Sequence, residues 1–403
     1  MSETWRMALF LVVVLSVWTL LHAYVFWSVG RAPLVAENLP RRLLLVVAAA
    51  LWLIYPLGRI LDRPGPEAVS FVLELVGAVW MGVLFLAFVG VLLADLVRGL
   101  VLLTAPVLGR LAAPADVVSA NLPLGAVALA LALATIGLVQ QVRGPVVVEH
   151  EVHLAGLPVE RDGTVLVAIS DLHLGSLLGA RWFERRLAQI EPLRADLVAV
   201  VGDLVDGSAA RVESLLPQLR RLRAPLGVWA VPGNHEHYAG LERCTRLLEE
   251  AGYTVLRGRW AEVAPGLVVA GADDLTALRQ LAPRGTPGEP LLAGALDAAL
   301  AGRPAGATLL LSHTPWLAER AAAQGVGLMI SGHTHDGQIW PFGALVRLQY
   351  PYLAGSFTVG GMRLIVGRGT GTWGPPLRLW RRSEILRITL RAAAPASPLA
   401  PAS

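Results

Sequence analysis

Residues 169–175 read Ile-Ser-Asp-Leu-His-Leu-Gly, and the apolar run Val165–Ile169 feeds directly into Asp171 and His173. Alternate residues of an extended segment point the same way. Asp171 and His173 can therefore reach one pocket where a strand ends. Alone, an Asp-x-His triplet is weak evidence for a metal ligand. The chain that follows strengthens it.

Four more polar clusters each follow a short apolar run. Gly202-Asp203 follows Leu197–Val201, and Gly233-Asn234-His235-Glu236 lies just past Gly227–Val231. Ser312-His313 follows Thr308–Leu311, and Gly332-His333-Thr334-His335 lies just past Leu328–Ile330. Between them the spacing predicts helices over Arg181–Arg194, Ala210–Leu222, Leu241–Ala251 and Trp316–Gln324, with a loop and short helix over Gly285–Gly306. Val146–Leu154 alternates as a strand, and Thr254–Arg257 and Gly266–Ala270 read as two more. Beyond residue 335 the chain reads mostly as strand and turn.

In layered α/β structures, sites gather at the carboxyl ends of strands. The five clusters are thus expected to converge. Their mixed oxygen and nitrogen donors suit two divalent transition ions such as Mn, Fe or Zn. His150 and His153 differ by an odd number along their strand and are expected to be exposed polar positions.

Working outward, the first third differs in kind. The chain has 403 residues, 55% hydrophobic and 16% charged, with a net charge of +4. A soluble domain carries about 25% charged residues. The apolar excess lies in Met7–Val29, Leu43–Ile60, Leu75–Ala94 and Leu122–Val142, each close to the length of a bilayer span of about 20 residues. Leu96–Leu111 can extend the third span or lie at the interface. Glu74 and Asp95 flank that span and are expected at the interface. Trp5, Trp18, Trp27, Trp52 and Trp80 are scattered here, several near span ends.

The first apolar run is too long for a cleaved leader and reads as an anchor. With four spans, Arg6, Arg59, Arg63 and Arg143 share one side, and Arg31, Arg41, Arg42, Arg98 and Arg110 the other. A difference of one does not choose an orientation. Cys244 is the only cysteine, so the chain forms no internal disulfide. The expected division is a transmembrane region at 1–143, a catalytic domain at 144–391 and a disordered tail at 392–403.

From Val146 to Leu390 the chain resembles the calcineurin-like metallophosphoesterase superfamily, on the five clusters just quoted. The resemblance implies a β-sandwich flanked by helices. It implies a first metal on Asp171, His173, Asp203 and His335, and a second on Asp203, Asn234, His313 and His333. It implies that His235 contacts the phosphate and assists the leaving group. Glu236 is then a support rather than a ligand, and His237 a polar residue near a helix start. Purple acid phosphatases place tyrosine three residues after the Gly-Asp aspartate, where this chain has Asp206, so an Fe(III) site of that kind is not expected. The runs Ser331–Ile339 and Gly367–Gly371, with Arg382-Ser383-Glu384-Ile385, resemble a bacterial group of membrane-linked predicted phosphohydrolases. That group often has glycine where Asp336 stands and proline where Ser383 stands.

The resulting expectation is a multi-pass, membrane-anchored two-metal phosphohydrolase. It would cleave a phosphodiester or pyrophosphate, lipid- or envelope-linked, next to the bilayer. Nucleic acid is not an expected partner, because no basic aromatic groove is evident. The competing expectation is a membrane transporter or scaffold whose phosphoesterase domain senses a ligand without turnover.

Overall fold

The computed structural model describes residues 3–61, 67–108, 115–282 and 286–393. They form two compact units: Met1–Val142 with Gly374–Leu379, and Arg143–Trp373 with Trp380–Ser403.

The first unit is helical: α1 (Glu3–Gly30), α2 (Pro33–Asn38), α3 (Arg41–Leu61), α4 (Glu67–Leu108) and α5 (Ala115–Val142). Among the described residues, four stretches are long and apolar enough to cross a membrane: Leu11–Gly30, Arg41–Leu61, Ala68–Leu100 and Ala120–Val142. Leu96–Leu108 continues α4 rather than forming a separate interfacial segment. Glycines let α3 and α4 approach closely. A Cβ at Gly77 would overlap the backbone of Tyr55, and one at Gly58 the backbone of Glu74.

Glu74 is buried, and its carboxylate pairs with Arg59 at 2.8 Å. Three tryptophans form hydrogen bonds within the bundle. Trp18 donates to the Trp52 carbonyl at 3.1 Å, Trp52 to Thr19 Oγ1 at 3.0 Å, and Trp80 to His22 Nε2 at 2.8 Å. In an apolar medium an unbonded indole N–H is costly, so each finds an acceptor. Gly374–Leu379 also packs with these helices. Leu377 lies against Gly82, and the Arg378 N–H donates to the Gly137 carbonyl at 3.1 Å.

The second unit holds two six-stranded sheets. The first contains β1 (Val146–Leu154), β2 (Val165–Ile169), β3 (Leu197–Val201), β4 (Val228–Val231), β5 (Thr254–Val255) and β12 (Glu384–Ala392), in the order β1-β12-β2-β3-β4-β5. The second contains β6 (Arg259–Ala264), β7 (Leu267–Gly271), β8 (Ala307–Leu311), β9 (Leu328–Ser331), β10 (Gly355–Val359) and β11 (Met362–Val366), in the order β10-β11-β9-β8-β7-β6. Strands β2, β3 and β4 run parallel, as do β7, β8 and β9.

Strand periodicity of two sorts the core into layers. Leu166, Ala168, Leu197, Ala199 and Val201 meet Leu309, Leu311, Leu328 and Ile330 between the sheets. The intervening Val167, Ile169, Val198 and Val200 face helices α6 (Ala180–Ile190), α7 (Ala209–Glu213), α8 (Leu216–Leu219) and α9 (Asn234–Glu250). On the far side, Leu310, Met329 and Leu364 meet α11 (Gly288–Leu300) and α12 (Ala318–Ala323), while α10 (Leu275–Leu281) and α13 (Phe342–Val346) lie on connections. Strands buried on both faces must be apolar throughout, which is why they read as unbroken apolar runs.

Several boundaries differ from expectation. The helix expected over Ala210–Leu222 is two short pieces, because Pro217 has no N–H to donate and its ring clashes with the carbonyl four residues earlier. Helix α9 begins at Asn234 rather than Leu241, kinked at Gly240 where φ is 102°. Strand β6 and helices α10 and α13 were not expected, and β12 runs on to Ala392. Of the expected tail, 394–403 lie outside the described residues.

Candidate metal centre

Every cluster leaves the carboxyl end of a strand: Asp171 and His173 after β2, Asp203 after β3, Asn234 after β4, His313 after β8, and His333 and His335 after β9. Three sets of side chains offer donor atoms within 4.8 Å of one another: Asp171, His173 and His335; His173, Asp203 and His235; Asp203, His313 and His333. Asp203 Oδ2 stands 3.0 Å from His313 Nε2 and 3.9 Å from His173 Nε2. His335 Nε2 is 3.4 Å from Asp171 Oδ1 and 3.1 Å from His173 Nε2. Asn234 is buried in the first turn of α9, and its Oδ1 has no hydrogen-bond partner.

The donor set fits divalent cations on that observation and on the tautomers. His313 Nδ1 donates to the Val201 carbonyl at 2.9 Å, leaving Nε2 toward Asp203. His333 Nε2 bonds Tyr350 Oη at 2.7 Å, leaving Nδ1 at 3.3 Å from His313 Nε2. A histidine ligand usually has its second nitrogen fixed in this way. Removing the phenol, as in Tyr350→Phe, is expected to lower metal affinity about 10–100-fold. Titrating metal into the stripped protein by calorimetry would measure it.

The loops that carry these donor atoms are held in a costly backbone state. Asp171, His173, Asp203, His333 and His335 all have positive φ, between 47° and 68°. Such conformations cost roughly 1–3 kcal/mol each outside glycine, and persist where the surroundings over-determine them. Here Asp171 accepts from the His333 N–H at 3.0 Å, and Asp203 Oδ1 from the His235 N–H at 2.9 Å. Glu236, buried, accepts from the N–H groups of Asp203, Val205 and Gly233 at 2.9, 2.8 and 2.7 Å. It ties the β3 and β4 loops together and serves as a clamp. Gly332 is required because a Cβ there would strike the Asp171 carboxylate. Asp336 also has positive φ, 55°, a conformation that glycine adopts more readily.

The run Gly367–Gly371 supports the Asp-x-His loop from below. Thr370 and Gly371 donate to the carbonyls of Ser170 and Asp171 at 2.8 and 2.9 Å. Arg368 pairs with Glu384 at 2.6 Å, joining two runs that are distant in sequence. A Cβ at Gly371 would overlap the carbonyls of Leu172 and Asp171. Gly371→Ala is therefore expected to destabilise the second unit by about 1–3 kcal/mol, the usual cost of overpacking, read as a lower unfolding midpoint.

Charge is concentrated and desolvated. Burial opposes ionisation of Asp203, but His313 and His235 outweigh it and hold the carboxyl well below its usual range. Burial likewise opposes charge on His313, yet Asp203 and Asp171 raise it well above normal. Burial lowers His173 to about 4 and, with His313 beside it, His333 to about 3. Burial raises Asp171 to about 6. His235 is pushed up to about 9: burial works against this, but Asp203 and Asp206 prevail.

His235 Nδ1 lies 3.0 Å from Asp206 Oδ1, and its ring meets His173 edge-on at 4.6 Å. Tyr238 and Trp373 flank it at 5.7 and 6.0 Å. Asp206, Tyr350 and Trp373 were not read from the sequence as site residues. Only Asp206, three residues past Asp203, carried a usable spacing signal. His237 pairs with Asp273 at 3.2 Å, beside the cluster rather than in it. His150 is half-buried and His153 exposed on β1, away from the five ligand loops. Cys244 is buried in the helical layer.

Residues 164–337 match the family model for calcineurin-like phosphoesterases. The chain is 34% identical over 272 residues to a zebrafish (Danio rerio) transmembrane protein with metallophosphoesterase domain, covering 65% of this chain and 61% of that one. It is 34% identical over 224 residues to an uncharacterized metallophosphoesterase of Aquifex aeolicus, covering 55% of this chain and 83% of that one. A solved dimetal phosphatase from Danio rerio aligns at a TM-score of 0.39 and 16% identity, covering 57% of this chain and 99% of that one. The chain belongs to the calcineurin-like metallophosphoesterase family. Its four apolar helices, together with the transmembrane relatives, associate it with membranes.

Proposed function

We propose that the protein is a multi-pass membrane phosphohydrolase working with two divalent cations, Mn, Fe or Zn. Asp171, His173, Asp203 and His335 hold one, and Asp203, Asn234, His313 and His333 the other. The observation that carries this is the convergence of donor atoms around Asp203, with an unpartnered, buried Asn234 Oδ1 beside them. Cations held there would lower the pKa of a coordinated water and would offset phosphoryl charge. His235, whose Nδ1 lies 3.0 Å from Asp206 Oδ1, would donate its proton to the departing oxygen. Glu236 keeps the Asp203 and Asn234 loops in register. A phosphodiester or pyrophosphate, lipid- or envelope-linked, is the substrate class.

The test is metal content and turnover of bis-p-nitrophenyl phosphate by the full chain in detergent, with Mn or Zn added. Close to two metals per chain with turnover supports the reading. Metal without turnover of any mono- or diester overturns it. That result would favour a second reading, a transporter or scaffold with a sensing domain. The polar contacts inside the helical unit, Arg59 with Glu74 and Tyr24 with Asp95 at 2.7 Å, speak for that alternative.

A further inference from the structure

Just past the last of the donor loops the chain makes an apolar excursion that the chemistry above does not use. It leaves from His335, passes through α13, and returns to Tyr350, whose hydroxyl bonds His333. Its ends are buried, but its crest is not. Trp340, Phe342, Leu345 and Leu348 are exposed, Leu348 by 85%. Residues 339–350 contain no acid, and their single charge is Arg347, also exposed. Scattered surface leucines need no explanation, but four large apolar side chains within nine residues do. Aromatic and aliphatic side chains beside a lone arginine are the composition of a segment that rests in a bilayer interface.

Trp373 extends the same rim. Gln338, next to the ligand loop, holds it by two hydrogen bonds, each 3.0 Å, and its ring stands 6.0 Å from His235. It remains 54% exposed. Trp373 and Trp380 bracket Gly374–Leu379, the six residues that pack with the apolar helices. The peptide bonds at either end keep both indoles one residue from that segment. Tryptophan is the residue found where chain passes between apolar and aqueous surroundings.

We propose that the excursion at 340–348, with Trp373, contacts the acyl region of a bilayer lipid whose phosphoester group occupies the site. This deepens, and rests on, the phosphohydrolase reading. The apolar rim takes the alkyl part, Arg347 faces the anionic headgroup level, and His235 and the ligand loops take the phosphoryl group. The overall step is hydrolysis: water oxygen bonds to phosphorus, the ester P–O bond breaks, and the departing oxygen takes a proton.

The experiment uses the full chain in phosphatidylcholine nanodiscs with ethyl and decyl p-nitrophenyl phosphate. The parent is expected to favour the decyl ester in kcat/KM by tenfold or more. The double variant Leu345→Asp/Leu348→Asp is expected to lose that preference while hydrolysing the ethyl ester as before. A preference that survives the double variant overturns the proposal.

A second measurement guards against a variant that fails to fold. Cys244, the sole cysteine, is buried, so Leu348→Cys can be labelled selectively with an environment-sensitive fluorophore. Blue-shifted emission that nitroxide-labelled lipids quench is the expected result, and water-like, unquenched emission overturns it. If the parent hydrolyses neither ester, the phosphohydrolase reading fails, and the fluorescence still decides the lipid contact.

Discussion

Asp203→Asn is expected to cut phosphoester turnover by at least about 10³-fold, the upper end of what losing one electrostatic contact to a developing charge costs. The substitution is isosteric. Oδ1 can still accept the His235 N–H, so the loop keeps its 2.9 Å bond. What is lost is the charge at Oδ2, 3.0 Å from His313 and 3.9 Å from His173. Because Asp203 belongs to two of the three donor clusters, both proposed cations depend on it. Metal per chain should fall together with activity, and the unfolding midpoint in chelator should also fall, because the buried His313 loses its charge partner. Undiminished turnover with a full complement of metal would remove Asp203 from its proposed bridging position.

His235→Ala should separate two kinds of substrate. Proton donation by a positioned side chain is worth about 10²–10⁴-fold. It matters most when the departing oxygen is strongly basic. An alkyl leaving group should therefore lose activity over that range, whereas p-nitrophenolate, which needs little protonation, should lose much less. Metal content should be unchanged, since His235 is outside the proposed ligand set. Equal losses on both substrates would assign His235 to binding rather than proton transfer. The structural basis is the Asp206 carboxylate 3.0 Å from Nδ1, which favours the imidazolium.

Much of the candidate site was legible because each candidate donor follows a strand, and strands buried on both faces are unmistakably apolar. Leu197–Val201 has one face between the sheets and one against helices, so no polar residue is tolerated until Gly202-Asp203 at its end. Less legible were features that depend on contacts distant in sequence. The site of α9's first turn was missed because Gly240 interrupts the helical pattern, and with it the position of Asn234 within a helix. A sequence shows the charge of Glu74 near a span end but not the Arg59 across the helix pair that neutralises it.

The sequence by itself determined which side chains can bind metal, the order in which strands deliver them, and that the chain opens with helices of membrane-spanning length. These follow from local rules: side-chain chemistry, strand periodicity and apolar length. Only the tertiary structure showed that Tyr350 orients His333, that Asp206 holds His235, and that Gly367–Gly371 props up the Asp171 loop. It alone revealed that Trp340, Phe342, Leu345 and Leu348 are exposed. Burial and hydrogen-bond partners are set by residues far along the chain, so no local pattern carries them.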